Sequence, residues 1–428
     1  MKAYLMPMLA AALLAPAAFA QSTPGVAPAV ALQQPIGALT LAAAVDRAQQ
    51  HNSELRALRE EVAALEARAG QAGARPNPAL EYLREGNREQ GGAATVQVAI
   101  PFELGGKRSA RVDAAEAELR VATAELAAGS LRVQAEVVAA FHEAFLAGKR
   151  LELATQASAS ARQSSDSAGA RVLAGKVSPV EETRAKVAEA NLQVEAIQAR
   201  RDLAEARVKL ALLWGGDPAG LSLAVPDFAL PHAPNQSAMS AILAGSAGMQ
   251  RATADLDWRT AAARLERSKR YPDVSLIVGQ KREGVGRERQ TIVGLSVPLP
   301  LFDRNQGAIR EADRRIEKSR AELAWQQQRL HAEAARAAIR LNAALEQERV
   351  IREEVLPGGQ SAFAAARTGF EAGKFNFLEV LDAQRTYFHA QAQHLRAISE
   401  AYRAAADLAT LIGPTDPLIS TSHQQDAK

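Results

Sequence analysis

The chain has no cysteine among its 428 residues. That excludes disulfides, thiolate metal sites, a cysteine nucleophile and a lipid attached to an N-terminal cysteine. Aromatic residues are scarce, 4% against 47% apolar residues, which speaks against a compact aromatic-cored enzyme and suits long Ala/Leu-rich helices. Surplus charge is missing as well. Interspersed signs, 51 Lys+Arg against 48 Asp+Glu, leave a net +3, so a nucleic-acid partner has little support. No uncharged apolar run beyond the N-terminus is long enough to span a membrane as a helix. A mature chain of this kind can enter a membrane only as a β-barrel.

What is present begins with an address. Lys2 precedes an uncharged stretch, Ala3 to Ala20, that ends in Ala18-Phe19-Ala20. A positive start, an apolar middle and small residues two apart describe a secretory signal over 1–20, cleaved before Gln21. A retained anchor is the competing reading, disfavoured by Pro7, Pro16 and a length near the lower limit for spanning.

Proline costs about 3 kcal/mol in a helix interior, so proline-free gaps mark where long helices can run. The gaps are 36–75, 102–178, 180–217, 235–271, 301–356 and 358–413, all rich in Ala, Leu, Glu, Gln and Arg. Between Lys107 and Leu173 a helix would extend roughly 100 Å at 1.5 Å per residue. Leu119, Leu126, Val133 and Ala140 recur at heptad spacing, as a packed seam or an ordinary buried stripe requires. Between the helices, 95–100, 273–278 and 290–295 alternate in the period of a two-faced strand, and 79–83 is a further candidate. Polar Gly-bearing loops at 84–92 and 281–289 pair these strands into two hairpins. Pro76, Pro101, Pro272, Pro298 and Pro300 mark the helix–strand junctions.

These features recur at one offset. Pro76 and Pro272 lie 196 residues apart and Pro101 and Pro298 lie 197 apart. Ala124-Glu125-Leu126 returns as Ala321-Glu322-Leu323, and Ala174-Gly175-Lys176 as Ala372-Gly373-Lys374. The chain therefore reads as a duplicated helix–hairpin–long-helix unit, mainly α with a small β part. Its segments are a signal peptide (1–20), an N-terminal segment (21–38) and a first repeat (39–213). A connector (214–236), a second repeat (237–412) and a tail (413–428) follow. Four strands are half of the smallest closed membrane wall, so several chains would have to share one barrel: two give eight strands, three give twelve.

No enzyme motif emerges. Gly215-Gly216-Asp217 and Gly358-Gly359 are turn material without a phosphate-loop lysine, and no spacing suggests a nucleophile elbow. No catalytic residue and no cofactor are assigned. No metal site is assigned either: His389 and His394 are five apart and do not converge on one helix face, and only Met239 and Met249 remain after signal removal. Tyr82, Phe102, Tyr271 and Phe302 stand near strand ends, where aromatics anchor barrels or simply pack.

Four phrases carry a family resemblance: 100–108 (IPFELGGKR), 174–184 (AGKVSPVEETR), 298–307 (PLPLFDRNQG) and 372–385 (AGKFNFLEVLDAQR). With the duplicated organisation they resemble the TolC-like outer membrane factors of Gram-negative efflux systems, and most closely the cobalt–zinc–cadmium branch. The resemblance covers nearly the whole mature chain. It implies a homotrimer in the outer membrane, with a 12-stranded β-barrel continuous with a periplasmic α-helical barrel. It implies an equatorial layer built from the termini and 214–236. It further implies two partners, a periplasmic adaptor and an inner-membrane proton-driven pump of the resistance–nodulation–division type. The expected function is export of divalent cobalt, zinc, cadmium or nickel; the same duct for drugs or polypeptide, and a non-inserted periplasmic coiled-coil adaptor, are the alternatives.

Two sites follow from the phrases. Ala174, Gly175, Lys176, Ser178 and Pro179, and Ala372, Gly373 and Lys374, sit where long helices must reverse. Glycine, a Ser or Asn376 cap and nearby acids make good turns there. In the family such turns form the tip that meets the adaptor. Glu379 and Asp382, three apart on one helix face, match the family's acidic positions at the periplasmic entrance. Threefold symmetry would turn each into a cation-attracting ring; capping and a solvated face are the plainer reading. The latching tyrosine and arginine of well-known relatives correspond to Phe370 and Phe375. That puts a polar latch in doubt and leaves an apolar constriction open.

Overall fold

Helix formers dominate the chain, and the computed structural model is accordingly helical outside one small sheet. It describes residues 37–86, 92–226, 230, 232–283, 288–372 and 374–413. The expected signal peptide, most of segment 21–38, Gly373 and the tail from 414 lie outside the described residues. The first repeat runs α1 (Leu41–His51), α2 (Ser53–Ala72), β1 (Ala79–Glu85), β2 (Ala93–Phe102), α3 (Lys107–Leu173) and α4 (Pro179–Leu212). The second runs α5 (Gln236–Ala244), α6 (Ala247–Ser268), β3 (Val274–Arg282), β4 (Arg289–Ser296), α7 (Gln306–Val350), α8 (Leu356–Glu371) and α9 (Phe377–Ile412).

Four details depart from the expectations set by proline. The first gap holds two helices, because Asn52 ends one and caps the next: its Oδ1 accepts from the amides of Glu54 and Leu55 at 3.0 Å each. Its amide also donates to the Leu213 carbonyl at 2.9 Å, tying α2 to the end of α4. Ser246 splits the fourth gap in the same manner, capping α6 through the Met249 amide. The expected stop at Pro357 does not occur. The chain passes from α7 into α8 through a single π-helical turn, Ile351–Val355, which widens the coil where the proline ring lacks an amide proton. Pro101, expected just past a strand, lies inside β2 opposite Ser275 and next to the strand's last residue.

Alanine makes the helices pack closely. One core cluster joins Val133, Val137 and Phe141 of α3 to Ala44 and Leu55 of α1 and α2, Leu210 of α4, and Trp214 and Leu221 of the connector. A second joins Val138 of α3 to Leu330 and Leu341 of α7, Met239 and Leu243 of α5, and Tyr402 and Leu408 of α9. An isolated parallel bridge, Leu39 with Leu223, stitches the start of the first repeat to the connector. No helix among the described residues is long and apolar enough to cross a membrane.

Candidate functional site

The two hairpins join. All four strands form one antiparallel sheet in the order β1-β2-β3-β4, with Val98 opposite both Leu80 and Val278. Residues directly paired share a face, so the register sorts every side chain. One face carries Leu80, Tyr82, Val96, Val98, Ile100, Leu276, Val278, Val293 and Leu295, with Gln280 and Thr291 in the Tyr82 row and Arg84, Arg282 and Arg289 in the next. This apolar face is open: Leu80 is 74% exposed, and Val293 and Leu295 are each 71% exposed. The other face carries Glu81, Glu85, Thr95, Gln97, Lys281 and Gln290 among alanine, glycine and a few aliphatic residues. Its polar groups bond one another, Gln97 to Glu81 at 2.6 Å and Lys281 to Glu85 at 3.2 Å. Gly279 lets β2 and β3 close up, since a Cβ there would lie 2.6 Å from Gln97. β1 and β4 each keep one edge without a strand neighbour among the described residues.

The junction phrases explain how sheet meets helix. Gly105 and Gly106 both take positive φ, 69° and 71°, and the Tyr271 ring fills the space a Cβ at Gly105 would need. Lys107 reaches Asp273 at 2.7 Å, linking the two repeats. Arg111 binds both oxygens of Glu103, at 2.5 and 3.1 Å, and donates to the carbonyls of Ala72 and Ala74. In the second repeat Asn305 supplies the left-handed turn, φ 58°, and its amide donates to the Glu266 carbonyl and carboxylate at 2.8 Å each. Pro76 stands between α2 and β1, Pro272 between α6 and β3, and Pro298 and Pro300 between β4 and α7.

At the other end of the long helices are the two reversals. In the first, Gly175 adopts φ 68° and the Lys176 amide returns to the Arg171 carbonyl at 2.9 Å, closing α3. Ser178 then caps α4 through the Val180 amide at 3.3 Å, with Pro179 first in the helix and Glu181 and Glu182 in its positive first turn. In the second, Ala372 follows α8, the Lys374 amide bonds the Gly369 carbonyl at 2.8 Å, and Asn376 with Glu379 completes a capping box. The Glu379 carboxylate thus accepts from its own helix cap, while Asp382 is exposed one turn on.

Within one chain Phe370 and Phe375 each pack against a different neighbour. Phe370 packs with Ala168, Ala185 and Leu381 under the Arg171 guanidinium, 4.0 Å from its ring centre, so it couples α8 to α3 and α4. The Phe375 ring instead lies on Gly369, where an added Cβ would come within 2.3 Å of it. Sequence reasoning missed a further buried contact above this point, Gln384 on α9 donating to Ser160 on α3 at 2.8 Å.

Midway along the helices lies a buried polar layer that sequence reasoning did not single out. His142 stacks on Tyr402 at 3.8 Å and its Nδ1 meets the Val138 carbonyl, while burial lowers its pKa. Burial alone would raise the neighbouring Glu143 carboxyl, but Ser399, Arg150 and Arg403 outweigh it and hold it below the ordinary range. Beside the π turn, Glu348 is almost wholly buried and bonds both Arg352 and His394 at 3.0 Å. The sequence signal was there, in charged residues within an otherwise Ala-rich stripe. Among the described residues no group of three or more His, Asp or Glu could hold a metal ion.

Comparison with known proteins fits this geometry. A family model described as "Outer membrane efflux protein" matches residues 44–216 and again 238–414, once per repeat. The cobalt-zinc-cadmium resistance protein CzcC of Cupriavidus metallidurans is 38% identical over 378 residues, 88% of this chain and 90% of that protein. The nickel-cobalt-cadmium resistance protein NccC of Alcaligenes xylosoxydans xylosoxydans is 31% identical over 64% of this chain and 63% of its own length. Among solved structures, the open-state outer membrane channel MtrE of Neisseria gonorrhoeae superposes with a TM-score of 0.74. It is 17% identical, covers 87% of this chain and 88% of MtrE, and speaks to the fold.

Proposed function

The chain belongs to the outer membrane efflux protein family, and from that premise we propose that it is the trimeric exit channel of a proton-driven tripartite system exporting divalent heavy-metal cations. One observation carries the reading: an open four-stranded sheet, apolar on one face and polar on the other, with an unpaired strand at each edge. Unpaired backbone groups facing lipid are costly, so such a sheet persists in a membrane only by joining copies of itself. Three copies supply twelve strands, polar side inward, apolar side to lipid. Covering most of CzcC at 38% identity supports cobalt, zinc and cadmium as cargo, with nickel next.

In this assembly the reversals at 174–179 and 372–376 form the periplasmic tip that receives an adaptor, which in turn joins a resistance–nodulation–division pump. Glu379 and Asp382 line the entrance as two acidic rings that draw cations in. The channel is passive: selection among metals belongs to the pump, and no resident metal site is needed here.

Fractionation with crosslinking tests the assembly, with a heat-labile trimer in the outer membrane as the expected result and a soluble periplasmic monomer as the contrary one. A strain lacking the protein should lose tolerance to cobalt, zinc and cadmium but not to organic drugs. Loss of drug tolerance alone would replace the cargo. In planar bilayers, Glu379→Gln with Asp382→Asn should weaken cation preference; an unchanged preference removes the rings.

A further inference from the structure

The cations of the sheet are sorted by face. Arg84 of β1 pairs with Ala94 of β2, Ala94 with Arg282 of β3, and Arg282 with Arg289 of β4. Three arginines therefore stand in one row across the sheet, all exposed, and all on the apolar face. The carboxylates of the same strands, Glu81 and Glu85, are on the opposite face and bond Gln97 and Lys281. Glu283 and Glu288, joined by a backbone bond just past the strands, alternate to that same side. The row faces outward without a carboxylate beside it among the described strand residues.

Its height on the sheet is informative. The row Leu80, Val98, Val278 and Val293 lies four residues from the arginines, about 13 Å along a strand. On the same face, Phe102 is eight residues from Ala94, roughly 26 Å along the strand, or about 20 Å along the membrane normal at a tilt near 40°. An outward apolar band in such barrels is about 25 Å tall. Phe102 and the arginine row thus lie near the two margins of the band, with the row of Tyr82, Val96, Gln280 and Thr291 just inside the arginines. Phe102 is at the helix side, so the arginines are at the hairpin end, the outer-leaflet side of the proposed barrel.

We propose that Arg84, Arg282 and Arg289 form a cationic collar that binds the phosphates of the phosphorylated disaccharide glycolipid, lipid A, in the outer leaflet. The proposal rests on the membrane reading above. Arginine suits the task because its planar fork grips phosphate oxygens in pairs and stays charged. Strands are about 4.8 Å apart, so Arg84 and Arg289 are separated by about 14 Å at the backbone. A disaccharide with a phosphate at each end can bridge that span, and the small Ala94 leaves room between. In a threefold barrel the collar recurs three times.

The test uses the purified full-length assembly in detergent, titrated with bisphosphorylated lipid A and with its dephosphorylated form and read by native mass spectrometry. Charge near an anionic surface is worth about fivefold in affinity per arginine. Arg84→Gln, Arg282→Gln and Arg289→Gln together should therefore weaken lipid A binding by at least tenfold, and dephosphorylated lipid should bind as weakly to the wild type. Replacing all three by lysine should restore part of the affinity. Lys281→Gln, the same charge lost from the opposite face, should leave it intact. Undiminished binding by the triple glutamine variant overturns the proposal, as does equal binding of the dephosphorylated lipid. So does equal retention of phosphatidylglycerol, which would reveal unspecific attraction to anions. Should the triple variant fail to assemble, Arg289→Gln on the edge strand carries the same comparison with a smaller expected loss. Outer-membrane fractionation of the wild type is scored separately: a protein that inserts but ignores lipid A refutes the collar alone, and one that never inserts refutes the membrane reading with it.

Discussion

The two repeats fold alike and are not alike where it matters mechanically. In the first, α3 runs unbroken for 67 residues from junction to reversal. In the second, the matching path is α7, one π turn and α8, over 45, 5 and 16 residues. The path is nearly the same length, but only the second contains Pro357 followed by Gly358 and Gly359. A proline withholds an amide proton and crowds the carbonyl four residues earlier, and the π turn absorbs both effects. Duplication preserved the length of the strut and gave one copy a joint. The Glu348, Arg352 and His394 bonds lie at that joint, linking it to α9.

The comparison can be broken most severely by moving the joint. Ala159 occupies the position of Pro357 in the first repeat and is exposed, so Ala159→Pro tests the backbone alone. It should cost about 3 kcal/mol or more in denaturant unfolding and impair assembly. The reverse change, Pro357→Ala, should alter stability by less than about 1 kcal/mol while lowering open-channel conductance. Next comes the junction. Arg111→Ala removes a two-point carboxylate bond and two carbonyl bonds at a half-buried site, and a loss of about 2 kcal/mol is expected by thermal denaturation. The second-repeat junction relies on Asn305 in the left-handed region. Asn305→Ala should cost about 1 kcal/mol more than Asn305→Gly, since only alanine keeps a Cβ there.

The smallest effect concerns pH. Both His142 and Glu143 have lowered pKa values in the fold, so on acidification the unfolded chain takes up protons first. Their stabilisation is present above the ordinary values and is lost as pH falls through the folded ones. His142 acts first, below about pH 6.5, and Glu143 lower, in the carboxylate range. His142→Phe should flatten the upper part of a stability–pH curve and Glu143→Gln the lower part. Unchanged slopes in both windows would remove the mid-helix layer as the acid-sensitive element.

Much of the fold is legible in the sequence. The limits of α3, Lys107 and Leu173, follow from where helix formers run between a Gly-Gly turn and an Ala-Gly-Lys turn. The hairpins follow from alternation and polar loops. The capping box at Asn376 and Glu379 is a spacing signal. Three features are not legible there: Asn52 divides a helix without proline, Pro357 fails to divide one, and Phe370 binds Arg171 from another hairpin. Asn52 and Phe370 are held by contacts distant in sequence, with Leu213 and Arg171, whereas the π turn that accommodates Pro357 is local backbone geometry. The non-inserted adaptor alternative is set aside by family membership and by the single sheet.

The sequence alone determined the local elements and their duplication, because helix propensity, strand alternation and turn chemistry act over a few neighbouring residues and repeat with them. Only the tertiary structure decided that β2 pairs with β3 across the repeats. That pairing, made between segments some 180 residues apart, merges two marginal hairpins into one wall with an apolar side, a polar side and a row of arginines. No local rule specifies such a partner; burial and backbone hydrogen bonding select it once the long helices have brought the strands together.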